Sequence, residues 1–350
     1  MKTLIFLRSS IVSACLLYCG AVFGQGVAVS DNVDQSIERG LTYLANVQYP
    51  NGAFPQNHGE AGSISALAGM AWLAKGYTPG SGKYGENINR SIDYILSLAT
   101  KDGFLGEKEP GNGKMYCHSI CTLFLSEISG MVDEMRQKRI DAVLPLAVKI
   151  LLDAQNVRKS ERDKGGWRYQ RNSSDSDMSC TGWALMALRS SRLNGGRVPS
   201  DAIDRAVAYV RRQHNEGEGS FVYQLGGESY AVTLTGAGIL CLELCGKHND
   251  PYSRRAVNYL MRAYPELLHQ GNRSYGMYYT AQGLFQLGGD GWKVFEDWMY
   301  RVWIPRQRAD GSWVEEERSA PYNTALLVLA FTVPYRQLPI YQRDETVDED

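Results

Sequence analysis

Six short apolar segments recur along the chain and can be laid over one another. They read ISALAGMAWLA (64–74), CHSICTLFLSE (117–127), CTGWALMALRS (180–190), LTGAGILCLEL (234–244), YTAQGLFQLG (279–288) and NTALLVLAF (323–331). Their second position is a polar column: Ser65, His118, Thr181, Thr235, Thr280 and Thr324. Their third is small in every copy: Ala66, Ser119, Gly182, Gly236, Ala281 and Ala325. Small residues let helices approach closely, so these six should form a crowded inner layer. The spacing of the copies is about 50 residues, and units of that size bury their apolar faces only by stacking.

Each apolar segment follows an amphipathic stretch and a Gly-aromatic turn. Examples are RGLTYLANVQYPNGAF (39–54), DYILSLATKDGF (93–104), LLDAQNVRKSERDKGGW (151–167), AYVRRQHNEGEGSF (208–221) and IPRQRADGSW (304–313). The fifth unit, around NRSYG (272–276), is degenerate. No alternating strand pattern competes over a useful length. Gly76, Gly130, Gly195 and Gly246 follow four of the apolar segments, where a left-handed cap is expected. Six stacked hairpins can close on themselves. The expected fold is all-α, an (α/α)6 toroid spanning residues 30–342 as one domain, with a central cavity at one end of the ring.

Charge is balanced, with 37 basic and 38 acidic residues, so neither nucleic acid nor an anionic membrane surface is an expected partner. The first 24 residues read as a secretory signal peptide. Lys2 and Arg8 precede the apolar run Ile11 to Phe23, and Val22-Phe23-Gly24 precedes Gln25. A rival lipoprotein signal at Val12-Ser13-Ala14-Cys15 would have a shorter apolar core, interrupted by Arg8. No later segment is long enough to span a bilayer, which needs about 18 apolar residues. The mature chain is therefore expected outside the cytoplasm, periplasmic or extracellular. Residues 343–350, RDETVDED, read as a disordered acidic tail. Cys117, Cys121, Cys180, Cys241 and Cys245 remain after cleavage and read as buried free thiols.

These residues resemble the prenyltransferase/squalene-cyclase repeat superfamily of α/α toroids. Arg39-Gly40, Tyr43-Leu44, Gln48 and Gly52-Ala53-Phe54 follow its repeat in order. Gln307 with Gly311-Ser312-Trp313, and Gln155 with Gly165-Gly166-Trp167, match its second half. The resemblance implies that this Gln and aromatic tie a helix end to the next turn. Squalene-type cyclases carry Asp-x-Asp-Asp, whose middle Asp protonates an alkene. Here Asp175-Ser176-Asp177-Met178 places Asp177 in the middle but ends in Met. Protein prenyltransferases hold zinc through Asp-x-Cys and a His in a Tyr-His-Thr run. Asp177 and Cys180 are one residue too far apart for the first, and Tyr322-Asn323-Thr324 has Asn for the His. Asn is a poor zinc ligand. The chain also resembles exported bacterial proteins of the same repeat, through runs such as GGWRY, TGWALMAL and PYRQLPIY, and these imply no particular reaction. Neither a metal nor a cofactor is implied.

The candidate catalytic residues are Asp177 and His118. Asp177 precedes a helix, where a carboxylate caps the first free N–H groups. A capping carboxylate has a lowered pKa and makes a poor proton donor, so cap and acid are opposed roles. His118 interrupts a column of hydroxyls and either fills that place or reaches the cavity. Asp175, Tyr116, Trp183, Tyr230, Tyr278, Tyr322 and Asn323 lie at or near inner-helix starts and are candidate ligand contacts. An aromatic mouth suits an isoprenoid cation or a stacked sugar. Three functions stay open. One is a toroid that binds, or binds and transforms, a hydrophobic isoprenoid-type ligand. The second is a non-catalytic protein- or peptide-binding scaffold. The third is a carbohydrate-active enzyme, which would need two carboxylates flanking the cavity. Oligomeric state is left open.

Overall fold

The computed structural model describes residues 31–56, 61–106, 114–227, 229–248, 250–316 and 318–342. The expected signal peptide and acidic tail lie outside the described residues. Among those described there are twelve α-helices in six hairpins. The outer helices are α1 (Asp31–Val47), α3 (Gly85–Leu98), α5 (Glu134–Gln155), α7 (Ser200–Arg212), α9 (Pro251–Ala263) and α11 (Asp290–Trp303). The inner helices are α2 (Ala61–Ala74), α4 (Lys114–Ile128), α6 (Met178–Leu193), α8 (Ala231–Leu244), α10 (Arg273–Leu287) and α12 (Ala320–Phe331). Each inner helix packs on the next, and α12 packs on α2, so the inner ring closes. This is an (α/α)6 toroid. The one sheet among the described residues is a two-residue ribbon, β1 (His214–Asn215) against β2 (Ser220–Phe221).

The two columns explain the ring. The small column is buried, and it sets the closest approach of inner helices. A Cβ on Gly236 would lie 2.5 Å from the Thr280 backbone, so α8 and α10 touch main chain to main chain. In five of the six units the polar column ties the inner helix to its own Gly-aromatic turn. Thr181 accepts from the Trp167 N–H at 3.0 Å, Thr235 from Phe221 at 3.1 Å and Thr324 from Trp313 at 3.0 Å. Ser65 instead donates to the Gly52 carbonyl at 2.9 Å.

The Gln of the turn then reaches the following outer helix. Gln48 donates to Asn87 O at 3.0 Å, Gln155 to Ala202 O at 2.9 Å and Gln307 to Ser36 O at 2.8 Å. The last bond joins the sixth hairpin to the first and locks the circle. Gly311 in that turn has φ +92°, and a Cβ there would lie 2.3 Å from Arg39 O. Gly76, Gly130, Gly195 and Gly246 all take positive φ after their helices.

The degenerate fifth unit lacks the turn. A 3-10 stretch, Tyr264–His269, replaces it, and Leu267 packs against Gly276 of α10. Thr280 has no turn to bind, and its buried hydroxyl meets no protein partner. Glu315, from the sixth unit, caps α10 instead, accepting from Ser274 N at 2.7 Å and Arg273 N at 2.8 Å.

Candidate functional site

The N-terminal ends of the inner helices share one end of the ring, the mouth. Below it, aromatic side chains meet across the lumen. Tyr116 on α4 and Tyr275 on α10 come from opposite sides of the ring, with centroids 6.4 Å apart. Tyr116 and Tyr322 join hydroxyls at 3.2 Å, although α2 stands between their helices in ring order. The Tyr275 hydroxyl donates to Ser179 Oγ at 3.0 Å. Deeper, Trp183 on α6 stacks on Tyr278 at 5.3 Å and 8°, and Tyr279 lies 5.5 Å from it. Helices α4, α6, α10 and α12 are thus joined by rings through the centre. At this depth the rings meet across the lumen. The Trp183 indole N–H is buried and has no protein hydrogen-bond partner.

Beside this floor stands a charged cluster in the third unit. Asp177 is fully buried and is the N-cap of α6. Its Oδ1 accepts from the Cys180 N–H at 2.7 Å, and its Oδ2 meets Arg168 Nη1 at 2.9 Å. Burial holds its carboxyl above the usual range despite the opposing pull of the Cys180 N–H and Arg168, the reverse of the lowered value expected for a capping carboxylate. Arg168 also holds the half-exposed Asp175 through Nε at 3.2 Å. It lies over the Tyr169 ring at 4.4 Å and donates to the Tyr223 hydroxyl, which Tyr169 meets at 2.5 Å. Tyr230 sits on the rim, 54% exposed with φ +44°, its ring edge-on to Tyr223. With one oxygen capping a helix and the other on a guanidinium, Asp177 is built to hold this corner.

His118 is a strut. Its Nδ1 accepts from the Leu105 N–H at 3.0 Å, so Nε2 carries the proton and donates to Ala147 O at 3.0 Å. The ring is fully buried and stacks on Phe104 at 4.9 Å. Burial lowers its pKa to about 4, which keeps it neutral. It fills the hydroxyl's place in its column and reaches α5 as well. Both ring nitrogens are spent on backbone. Asn323 is likewise buried, accepting from Ser274 Oγ at 3.0 Å and bridging α12 to α10.

The structure therefore brings Tyr116, Trp183, Tyr278 and Tyr322 into one cluster. Asp177, Asp175 and Tyr230 form a second around Arg168, and His118 stands apart. Sequence reasoning missed Arg168, Tyr169, Tyr223 and Tyr275. A signal for Arg168 existed: the residue after the turn's aromatic is Pro55, Leu105, Val222 or Val314 elsewhere, and only the third unit has a charge there. Among the described residues no group of three or more His, Cys, Asp and Glu gathers to hold a metal. Nor is any described helix long and apolar enough to cross a membrane.

No family model matches the chain, and no curated protein matches its sequence. Its fold is that of two classes of solved toroid. One is the type II terpene cyclase MstE from Scytonema, at TM-score 0.58 and 15% identity over 88% of this chain and 99% of that one. A variant of the same cyclase with its substrate, geranylgeranyl dihydroxybenzoate, gives TM-score 0.58 and 13% identity over 88% and 98%. The other is an α-1,6-mannanase of Salegentibacter sp. HEL1_6, an inactive variant with α-1,6-mannotriose. It matches at TM-score 0.61 and 10% identity over 87% of this chain and 99% of that one. Identities this low carry the fold and not the chemistry.

Proposed function

We propose that this toroid, after export, is a non-catalytic binding module whose mouth seats an apolar ligand on its aromatic floor. The observation that carries the reading is the cross-lumen cluster of Tyr116, Trp183, Tyr275 and Tyr322, with the buried, unpartnered Trp183 N–H among its rings. Flat aromatic surface with few polar groups favours apolar ligands, and a buried donor without a partner favours one that offers an acceptor. The likeness to a terpene cyclase agrees with this choice, and the likeness to a mannanase supplies the competitor to test. Asp177 is left out of the chemistry because its oxygens are held by Cys180 N–H and Arg168.

The test is titration of the purified protein with geranylgeraniol and with α-1,6-mannotriose, followed by tryptophan fluorescence and native mass spectrometry. Geranylgeraniol should bind and be recovered unchanged. Trp183→Phe and the rim variant Tyr230→Ala should each weaken it, Trp183→Phe by about tenfold. Binding of mannotriose alone would sink the reading. So would a cyclised product that disappears in Asp177→Asn protein.

A second reading, a peptide-binding scaffold, has one observation in its favour. Leu225, Tyr230 and Val314 are large apolar side chains exposed at the surface.

A further inference from the structure

The end of the ring opposite the mouth is closed by the chain itself. After α12, a 3-10 turn (Val333–Tyr335) and Arg336 at φ +51° reverse the chain, and a second 3-10 turn, Pro339–Tyr341, enters among the C-terminal ends of the inner helices. Leu338, Ile340 and Tyr341 are buried there. The Tyr341 hydroxyl reaches Tyr278 at 2.6 Å, and its carbonyl accepts from Gln286 Nε2 at 3.0 Å. The Ile340 N–H donates to Glu127 Oε2 at 3.1 Å, and the other Glu127 oxygen accepts from the Ser190 hydroxyl.

We propose that residues 338–342 are a detachable plug, latched by Glu127, that closes the far end of the ring and props the floor of the aromatic cluster. Three features carry this. The plug is five residues long with a single 3-10 turn, held by three buried side chains and a few named bonds, and short segments of this kind open locally before the fold does. Its latch is a buried carboxylate on α4 that, among the described residues, meets only neutral donors. The Tyr341 hydroxyl touches Tyr278, which stacks on Trp183. The proposal does not rest on the ligand reading.

The latch responds to pH. Burial pushes Glu127 up to about 7. The titratable groups that sense its charge are the Tyr278 and Tyr341 hydroxyls, both held above their ordinary value by burial, so they stay neutral across this range. From α6 it meets the Ser190 hydroxyl, and from the plug the Ile340 N–H. An ionised Glu127 is better solvated when the plug is out, so opening is favoured as pH rises through 7.

The test is hydrogen exchange by mass spectrometry on the full chain, corrected for intrinsic rates, at pH 6 and pH 8. In the wild type, amides of 338–342 should open more readily than those of α6 and α10, and about tenfold more at pH 8 than at pH 6. Glu127→Gln, which cannot ionise, should change by less than about twofold. Tyr341→Phe loses only the bond to Tyr278 and should raise opening at both pH values by about fivefold. The proposal is overturned if the plug amides exchange only together with the helix cores. It is equally overturned if the wild type shows no pH contrast. Should Glu127→Gln fail to fold, the wild-type contrast and Tyr341→Phe still decide.

Discussion

Among the buried carboxylates, Asp177 at the mouth and Glu127 at the far end are treated in opposite ways. Asp177 at the mouth has a cation, Arg168, and a backbone N–H. Among the described residues, Glu127 at the far end has as hydrogen-bond partners the Ser190 hydroxyl and the Ile340 N–H. A buried charge is costly unless paired and hydrogen-bonded, and when unpaired it protonates instead. The difference teaches that Asp177 is held by a cation, whereas Glu127 meets neutral donors and is pushed by burial to about 7, where it changes charge near neutrality. One residue type thus becomes a fixed corner or a latch according to its partner.

The comparison breaks most severely if Arg168 is removed. Arg168→Leu strands the Asp177 charge in the protein interior and should cost about 3 kcal/mol in denaturant melts. Restoring neutrality with Asp177→Asn in the same chain should recover part of that loss. If Arg168→Leu is neutral, the pair does not hold the mouth.

The second effect is a pH profile. Glu127 has a folded pKa above its unfolded value of about 4.5, so its contribution is fully present below pH 4.5 and lost as pH rises through 7. Wild-type stability should fall relative to Glu127→Gln by about 3 kcal/mol between those limits, read from melts across the pH series. Parallel profiles for the two proteins would remove Glu127 from the account.

A third variant tests the strut. His118→Ala leaves the Leu105 N–H without its partner and should cost about 2 kcal/mol. Ligand binding at the mouth should be unchanged once the protein is folded.

The smallest effects compare hydroxyls in one column. Thr181→Val removes an acceptor from the buried Trp167 N–H and should cost about 1 kcal/mol. Thr280→Val removes a hydroxyl that serves no turn and should be neutral or slightly stabilising by the same melts. Equal losses at both sites would mean that the column is not a set of turn ties.

The toroid was legible because a repeat states its architecture several times over. Six copies of a polar-small pair fixed which helices are inner, and Gln48, Gln155 and Gln307 marked the ties between hairpins. His118 reads in the sequence as an exception to the hydroxyl column. In space it performs the column's task, accepting a turn N–H, with a ring large enough to reach Ala147 as well. Arg168 was legible in principle, as the charge among Pro55, Leu105, Val222 and Val314, but its partner was not.

What the sequence alone determined is therefore local and periodic. It includes the inner and outer helices, their turns, the positive-φ glycines and the cap position of Asp177. Only the tertiary structure decided what crosses the ring. The pairing of Tyr116 with Tyr275 and Tyr322, the seat of Arg168 on Asp177, and the plug at Glu127 each join separate helices or segments. Periodicity constrains which face of a helix turns inward, but the depth and direction of a side chain in the lumen depend on what the other inner helices leave unfilled.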